Sequence, residues 1–245
     1  MTFENRIALV TGGSSGIGLG IAKALLRQGA SVIITGRDAA KLERAAQEIG
    51  AKALVVDTTS VADINAMFAT IGREHGRLDI VVANAGGGTM ATLGAITEEQ
   101  VDRTFGTNVK GVIFTVQGAL PLMTNGGAIT IIGSTASINP DPGMSVYGAS
   151  KAAVRNLLRA WIQEIKGAHI RLNVVSPGPV RTPGLDAVIP AEQSAAVYGS
   201  MEARSNGGRI GTPADIAEAV VFLSGDGAGY INGVELFVDG GASQI

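Results

Sequence analysis

Tyr147 and Lys151 stand four residues apart in Tyr147-Gly-Ala-Ser-Lys151, a spacing that puts a phenol and an ammonium on one face of a helix. A phenol ionises near pH ~10 and exchanges protons poorly at neutrality. A cation beside it favours the phenolate and lowers that pKa, so the pair has the makings of an acid-base tyrosine tuned by its lysine. The same spacing also arises by chance on solvated helices, and the surrounding pattern has to decide. Ser134 follows an apolar run, where its hydroxyl can polarise a carbonyl and stabilise a developing alkoxide. Asn108 falls inside a helical pattern, a position where asparagine is not favoured for stability; a functional role and a satisfied polar contact are both open.

A second group of residues suits a phosphate. Ile7-Ala-Leu-Val-Thr11 runs into Gly12-Gly13-Ser14-Ser15-Gly16-Ile17-Gly18, and a helix pattern follows at once. A strand, a glycine-rich turn and a helix N-terminus together let backbone N–H groups approach a pyrophosphate. The glycines are spaced Gly-x3-Gly-x-Gly, and no lysine follows as a Walker loop requires. The next apolar run ends at Thr35-Gly36-Arg37. An acid near this point binds the ribose 2′-hydroxyl of NAD. Gly36 offers no carboxylate and Arg37 offers a planar cation, which points to NADP(H). Asp57 can accept from an adenine amino group, and Asn84-Ala85-Gly86 closes another run.

The elements that must position these residues alternate regularly. Apolar, β-branched runs at 7–11, 31–35, 53–57, 79–84, 128–134, 171–176 and 234–239 are separated by helical patterns. Successive apolar residues such as Ile80-Val81-Val82-Ala83 suit strands buried on both faces. Helix starts are marked by Ser60, by the capping-box pattern Thr97-Glu98-Glu99-Gln100 and by Pro213. Repeated β-α-β units predict an α/β fold of Rossmann type: one domain over 1–245, a doubly wound seven-stranded parallel sheet with helices on both faces. Ligands bind outside the carboxyl ends of such strands, so the candidate residues converge on one crevice. The stretch 178–211 is long for a connection. It predicts a substrate lid at about 183–208, with a short helix within 191–203.

Composition narrows the alternatives. A chain with 46% hydrophobic and 16% charged residues suits a large apolar core. Net charge is −2 without basic runs, which gives nucleic acid and anionic membranes nothing to hold. Cysteine is absent, and the two histidines, His75 and His169, lie far apart; disulfides and thiolate sites are excluded and no metal is expected. No signal peptide and no apolar run near 18 residues is present, so a cytoplasmic protein is expected.

Taken together, these motifs resemble the short-chain dehydrogenase/reductase family, in its 3-oxoacyl reductase-like and sugar dehydrogenase-like branch. The resemblance rests on Thr11-Gly-Gly-Ser-Ser-Gly-Ile-Gly18, Asp57, Asn84-Ala-Gly86, Asn108, Ser134, Tyr147-x3-Lys151, Pro177-Gly178, Gly208-Arg-Ile-Gly-Thr-Pro-Ala-Asp-Ile216 and Val238-Asp-Gly-Gly241. It implies Tyr147 as general acid or base, Lys151 lowering its pKa and holding the nicotinamide ribose, and Ser134 orienting the substrate oxygen. It further implies that Asn108 fixes a water in a proton relay, and that Pro177, Gly178, Val180 and Thr182 hold the nicotinamide. One departure is Ala83, where the family often has a second asparagine. The enoyl-reductase relatives use a wider Tyr–Lys spacing. The function implied is hydride transfer between NADP(H) and a ketone, 3-oxoacyl compound or secondary alcohol. An NAD-dependent sugar or polyol dehydrogenase and a non-catalytic NADPH-binding regulator are the alternatives. The family is usually tetrameric, sometimes dimeric. A substrate pocket is expected from 87–90, 137–144 and 185–201, with Met144, Leu185, Val188, Ile189 and Met201 favouring apolar carbon chains. Arg204 and Arg209 are either contacts for an anionic carrier or phosphate, or solvated or interface charges.

Overall fold

Every one of the seven apolar runs becomes a strand of one parallel sheet in the computed structural model, which describes residues 2–187 and 189–243. The strands are β1 (Ile7–Val10), β2 (Ser31–Gly36), β3 (Lys52–Val55), β4 (Ile80–Ala83), β5 (Gly127–Ile132), β6 (Ile170–Pro177) and β7 (Glu235–Val238). They pair in the order β3-β2-β1-β4-β5-β6-β7. The order reverses between β1 and β4, and a crevice opens there at the carboxyl edge. Val188, one of the expected pocket residues, lies outside the described residues.

Alternation along each strand sorts the core into two layers. Ala8, Val10, Ile80 and Val82 pack with Ile21 and Leu25 of α1 (Gly16–Arg27), Leu42 of α2 (Ala39–Ile49) and Ile216 and Val220 of α9 (Pro213–Ser224). Leu9, Val81 and Ala83 face the other way, against Ile64 and Phe68 of α3 (Val61–His75), Val112 and Val116 of α5 (Gly111–Ala119) and Val154 and Leu158 of α6 (Ser145–Glu164). The period of two in a strand puts neighbouring residues on opposite faces, so burial on both sides demands the unbroken apolar runs.

Local chemistry sets where the helices begin. Ser60 Oγ accepts from Asp63 N, and Thr212 and Asp215 form a complete capping box at α9. Thr97 caps α4 (Glu98–Phe105) through Gln100 N, but the expected reciprocal contact is not made: Gln100 Nε2 donates to Thr89 O at 2.7 Å. Gln100 thereby tethers the loop after β4 instead of closing the box. The connection after β6 carries α7 (Pro183–Asp186) and α8 (Ser194–Ala203), the latter within the stretch where a short helix is expected.

The sequence pattern around Asn108 reads as one continuous helix; the structure shows a π-helical turn, Gly106–Lys110, between α4 and α5. Wider turns of this kind are frequent at functional sites. Five runs also end early. β1 stops at Val10, β3 at Val55, β4 at Ala83, β5 at Ile132 and β7 at Val238, so Thr11, Asp57, Asn84, Ser134 and Asp239 lie in the turns beyond, where side-chain hydrogen bonds replace the ladder.

Candidate active site

The glycine turn is built by close approach. Gly12 and Gly16 have φ of 65° and 55°, values that L side chains rarely adopt. A Cβ on Gly18 would meet Gly12 O at 2.3 Å and Asn84 Nδ2 at 2.5 Å. Asn84 Nδ2 donates to Thr11 O and Gly12 O at 2.8 and 3.2 Å, while the Asn84 and Ala85 amides both donate to Thr11 Oγ1 at 3.0 Å. The end of β4 is thus clasped to the turn after β1, although Ala83 replaces the family's common asparagine. Across the crevice, Thr182 Cγ2 lies 3.2 Å from where a Gly16 Cβ would stand. Ser14, Ser15 and Ile17 complete the turn, and Ser15 is the N-cap residue of α1.

At the outer end, Thr59 donates to Asp57 Oδ1 from its amide and its hydroxyl, both at 2.9 Å. Burial pushes the Asp57 carboxyl up, but these bonds and the charges of Arg37 and Lys110 outweigh it and leave the pKa lowered. Arg37 is exposed and makes no hydrogen bond or ion pair among the described residues; it lines a cavity with Gly86, Gly87, Gly88, Arg103 and Thr107. Lys41 Nζ donates to Ser15 Oγ at 3.1 Å, placing a second cation at the turn. Neither Lys41 nor the Thr11 hydroxyl stands out in the sequence; the signal for Thr11 is a polar residue at the end of a buried strand.

The acid-base group assembles on α6. Tyr147 and Lys151 share a face as their spacing requires, with Lys151 Nζ 5.7 Å from the ring centroid. Lys151 is 3% exposed and donates to Ile132 O at 2.8 Å. Burial lowers its pKa to about 8. Ser134 caps a 3-10 turn, Thr135–Ser137, by accepting from Ala136 N. The phenol runs against the expectation of a lowered pKa. Burial raises it, and its hydrogen bond with Ser134 offsets the rise only in part. The physical reason is that Lys151 lies beside the ring and spends its hydrogen bond on a backbone carbonyl, while desolvation disfavours the phenolate directly.

Asn108, 0% exposed, is committed to protein partners. Its Oδ1 accepts from Gly87 N at 3.0 Å, and its Nδ2 donates to Gly87 O and Ser150 Oγ at 2.9 Å each. Asn108 Oδ1 and Lys151 Nζ both converge on Gly86, 3.1 and 3.2 Å from the position a Cβ would take. Ser150, whose hydroxyl donates to the Tyr147 backbone carbonyl at 2.6 Å, joins π-turn and α6 and has no signal in the sequence beyond lying next to Lys151. A Gly88 Cβ would fall 2.8 Å from Tyr147 Cδ2, so the loop after β4 lies directly on the ring.

Pro177 ends β6 and Gly178 follows, its Cβ position only 2.7 Å from Asp239 Cβ. Val180 bridges Gly211, and Thr182 caps α7 through Leu185 N. Both candidate anion contacts are occupied by acids of this chain. Arg204 Nη1 lies 2.8 Å from Asp141 Oδ1, and Arg209 forms two bonds to Asp215, at 2.8 and 2.7 Å. Hydrogen bonding by Arg209 holds the Asp215 carboxyl well below the usual range. Among the described residues, no group of three or more His, Asp or Glu side chains is placed to hold a metal, and no helix is long and apolar enough to cross a membrane.

A family model described as enoyl-(acyl carrier protein) reductase matches residues 12–243. The chain belongs to the short-chain dehydrogenase/reductase family, whose members are oxidoreductases acting on CH–OH and C=O groups. It is similar to the oxidoreductase asL5 of Sarocladium schorii, at 40% identity over 244 residues covering 98% of this chain and 96% of that protein. It is also similar to the 3-oxoacyl-(acyl-carrier-protein) reductase FabG of Thermotoga maritima, at 31% identity over 248 residues covering 98% and 99%. Among solved structures, the Pseudomonas aeruginosa RhlG/NADP active-site complex superposes with a TM-score of 0.92 at 31% identity, covering 99% of this chain and 98% of that one.

Proposed function

We propose that this protein is an NADP(H)-dependent enzyme that interconverts a ketone or 3-oxoacyl carbonyl and its secondary alcohol, with Tyr147 as general acid in reduction and general base in oxidation. The observation that carries this reading is the grouping of the Tyr147 ring with Lys151 Nζ, 5.7 Å from its centroid, beside the Ser134 turn and on the same crevice edge as the glycine turn.

The residues fit the cofactor. Gly12, Ser14, Ser15, Gly16, Ile17 and Gly18 leave backbone accessible for a pyrophosphate, and Asp57, Asn84, Ala85 and Gly86 line the adenosine end. Pro177, Gly178, Val180 and Thr182 face them across the crevice. An exposed Arg37 guanidinium that forms no ion pair among the described residues and is only charge-coupled to Asp57, and no carboxylate at Gly36, favour a 2′-phosphate over a bare ribose. The similarity to a structure described as an NADP complex supports the same choice. When bound, the nicotinamide supplies or accepts the hydride.

The protein's own part is orientation and a proton. Ser134 donates to the substrate oxygen as negative charge develops. Tyr147, kept protonated at neutral pH by burial, delivers its proton to that oxygen. Lys151 remains an ammonium below about pH 8 and stabilises the phenolate left behind. Asn108 holds the Gly87 peptide and Ser150, and so fixes the loop and helix on either side of Tyr147. The four-residue Tyr–Lys spacing favours carbonyl over enoyl reduction.

The test is a panel of carbonyls with NADPH followed by loss of its absorbance: a 3-oxoester, a 3-oxoacyl thioester, an aryl ketone, a diketone and a ketose. Turnover of the first four groups over the ketose supports the reading. No turnover of any member contradicts it.

A further inference from the structure

Glu235 is out of place by the usual rules. Glutamate is depleted in strands, yet this one opens β7 with its side chain only 12% exposed. A carboxylate so placed costs stability unless it is paired. Its partners are Ser176 Oγ, which donates to Glu235 Oε1 at 2.7 Å, Ser137 Oγ, which donates to the same oxygen at 3.2 Å, and Arg155 Nε, 3.6 Å from Oε2.

Those partners belong to the three chain segments that form the active site. Ser137 closes the 3-10 turn that Ser134 caps. Ser176 is fully buried, immediately before Pro177 and Gly178, and its Oγ lies 2.3 Å from the Cβ position of Gly133, the residue before Ser134. Arg155 is one helical turn beyond Lys151 and two beyond Tyr147 on α6. One carboxylate therefore ties the Ser134 turn, the end of β6 and the Tyr147 helix together from behind.

We propose that Glu235 is a positioning residue for the reaction: by holding the Ser137 and Ser176 hydroxyls and Arg155, it sets the placement of Ser134 relative to Tyr147. The inference rests on the acid-base reading of Tyr147 and Ser134. A displacement of about 1 Å in such a pair can cost on the order of 10²-fold in rate, whereas a bond that serves stability alone leaves the rate per folded molecule unchanged.

The experiment compares Glu235→Val, Glu235→Gln and Ser137→Ala with the wild type on the carbonyl of the panel that turns over fastest, with NADPH binding read by fluorescence and unfolding by heat. Glu235→Val should lower kcat about tenfold or more, with the NADPH dissociation constant within about twofold. Glu235→Gln should keep kcat within about threefold, because its amide oxygen still accepts from both hydroxyls. Ser137→Ala should lower kcat about threefold or more in the wild type and less than about twofold in Glu235→Val, the non-additivity of groups acting as a unit. Should Glu235→Val not fold, the wild-type effect of Ser137→Ala decides. Unchanged kcat in Glu235→Val or, failing its folding, in Ser137→Ala overturns the inference, as do strictly additive losses. Tyr147→Phe run in parallel separates the two readings. If it stays active, or if the wild type reduces nothing in the panel, the acid-base reading fails and this inference with it. If it is inactive while Glu235→Val is fully active, the positioning role alone fails.

Discussion

Asn108 grips Gly87 by both ends of its peptide face: its side-chain amide accepts from the Gly87 N–H and donates to the Gly87 carbonyl, at 3.0 and 2.9 Å. A third bond, to Ser150 Oγ, extends the grip to α6. Asn108→Ala leaves these groups without their partner at a side chain that is itself fully buried. The expected loss is about 1–3 kcal/mol of stability, or about 2–4 °C in Tm per kcal/mol for a chain of this size, seen by thermal unfolding. A Tm unchanged from the wild type would show that water or a shifted loop replaces the clasp.

Lys151 should cost the cofactor-free protein stability. Its folded pKa is about 8, against about 10.4 unfolded. Between these values the unfolded chain binds more protons, so stability rises with pH through that window. Below about pH 8 the folded state carries the full cost of burying the ammonium. Lys151→Met should therefore raise Tm at pH 7 by about 2–4 °C, for about 1 kcal/mol, and the gain should shrink toward pH 10. A lower Tm at pH 7 would contradict this. In the wild type, kcat/KM for reduction should fall as pH rises past about 8, when the ammonium is lost.

Arg37 should decide the cofactor. Removing the guanidinium in Arg37→Gln should lower kcat/KM with NADPH about tenfold to 100-fold, the worth of a hydrogen bond to a charged group. NADH efficiency should stay within about twofold of the wild type. An equal loss with both cofactors would mean that Arg37 supports the turn and not a phosphate.

Much of this is legible in the sequence because it is local. The seven short apolar, β-branched runs read directly as strands, several of them, such as Ile80–Ala83, as doubly buried ones, and the glycine turn stands between one such run and a helix start. Tyr147 and Lys151 need only a helix to share a face. What is not legible depends on distant partners. The π-turn at 106–110 leaves no mark in the apolar spacing. The Gln100 side chain fits a capping box equally well, and only the position of Thr89 shows where it goes. The raised Tyr147 pKa follows from burial by the loop after β4, which no spacing reveals. Glu235 carries no mark in the sequence beyond its place in the last run, and its role shows only when Ser137, Ser176 and Arg155 are seen around it.

The most direct test is Tyr147→Phe, which removes one oxygen and leaves the ring that Gly88 packs against. The account predicts that kcat for carbonyl reduction falls by about 10²–10⁴-fold, with NADPH binding, measured by fluorescence titration, within about twofold of the wild type. Turnover within about tenfold of the wild type would contradict the assignment of Tyr147 as the proton donor.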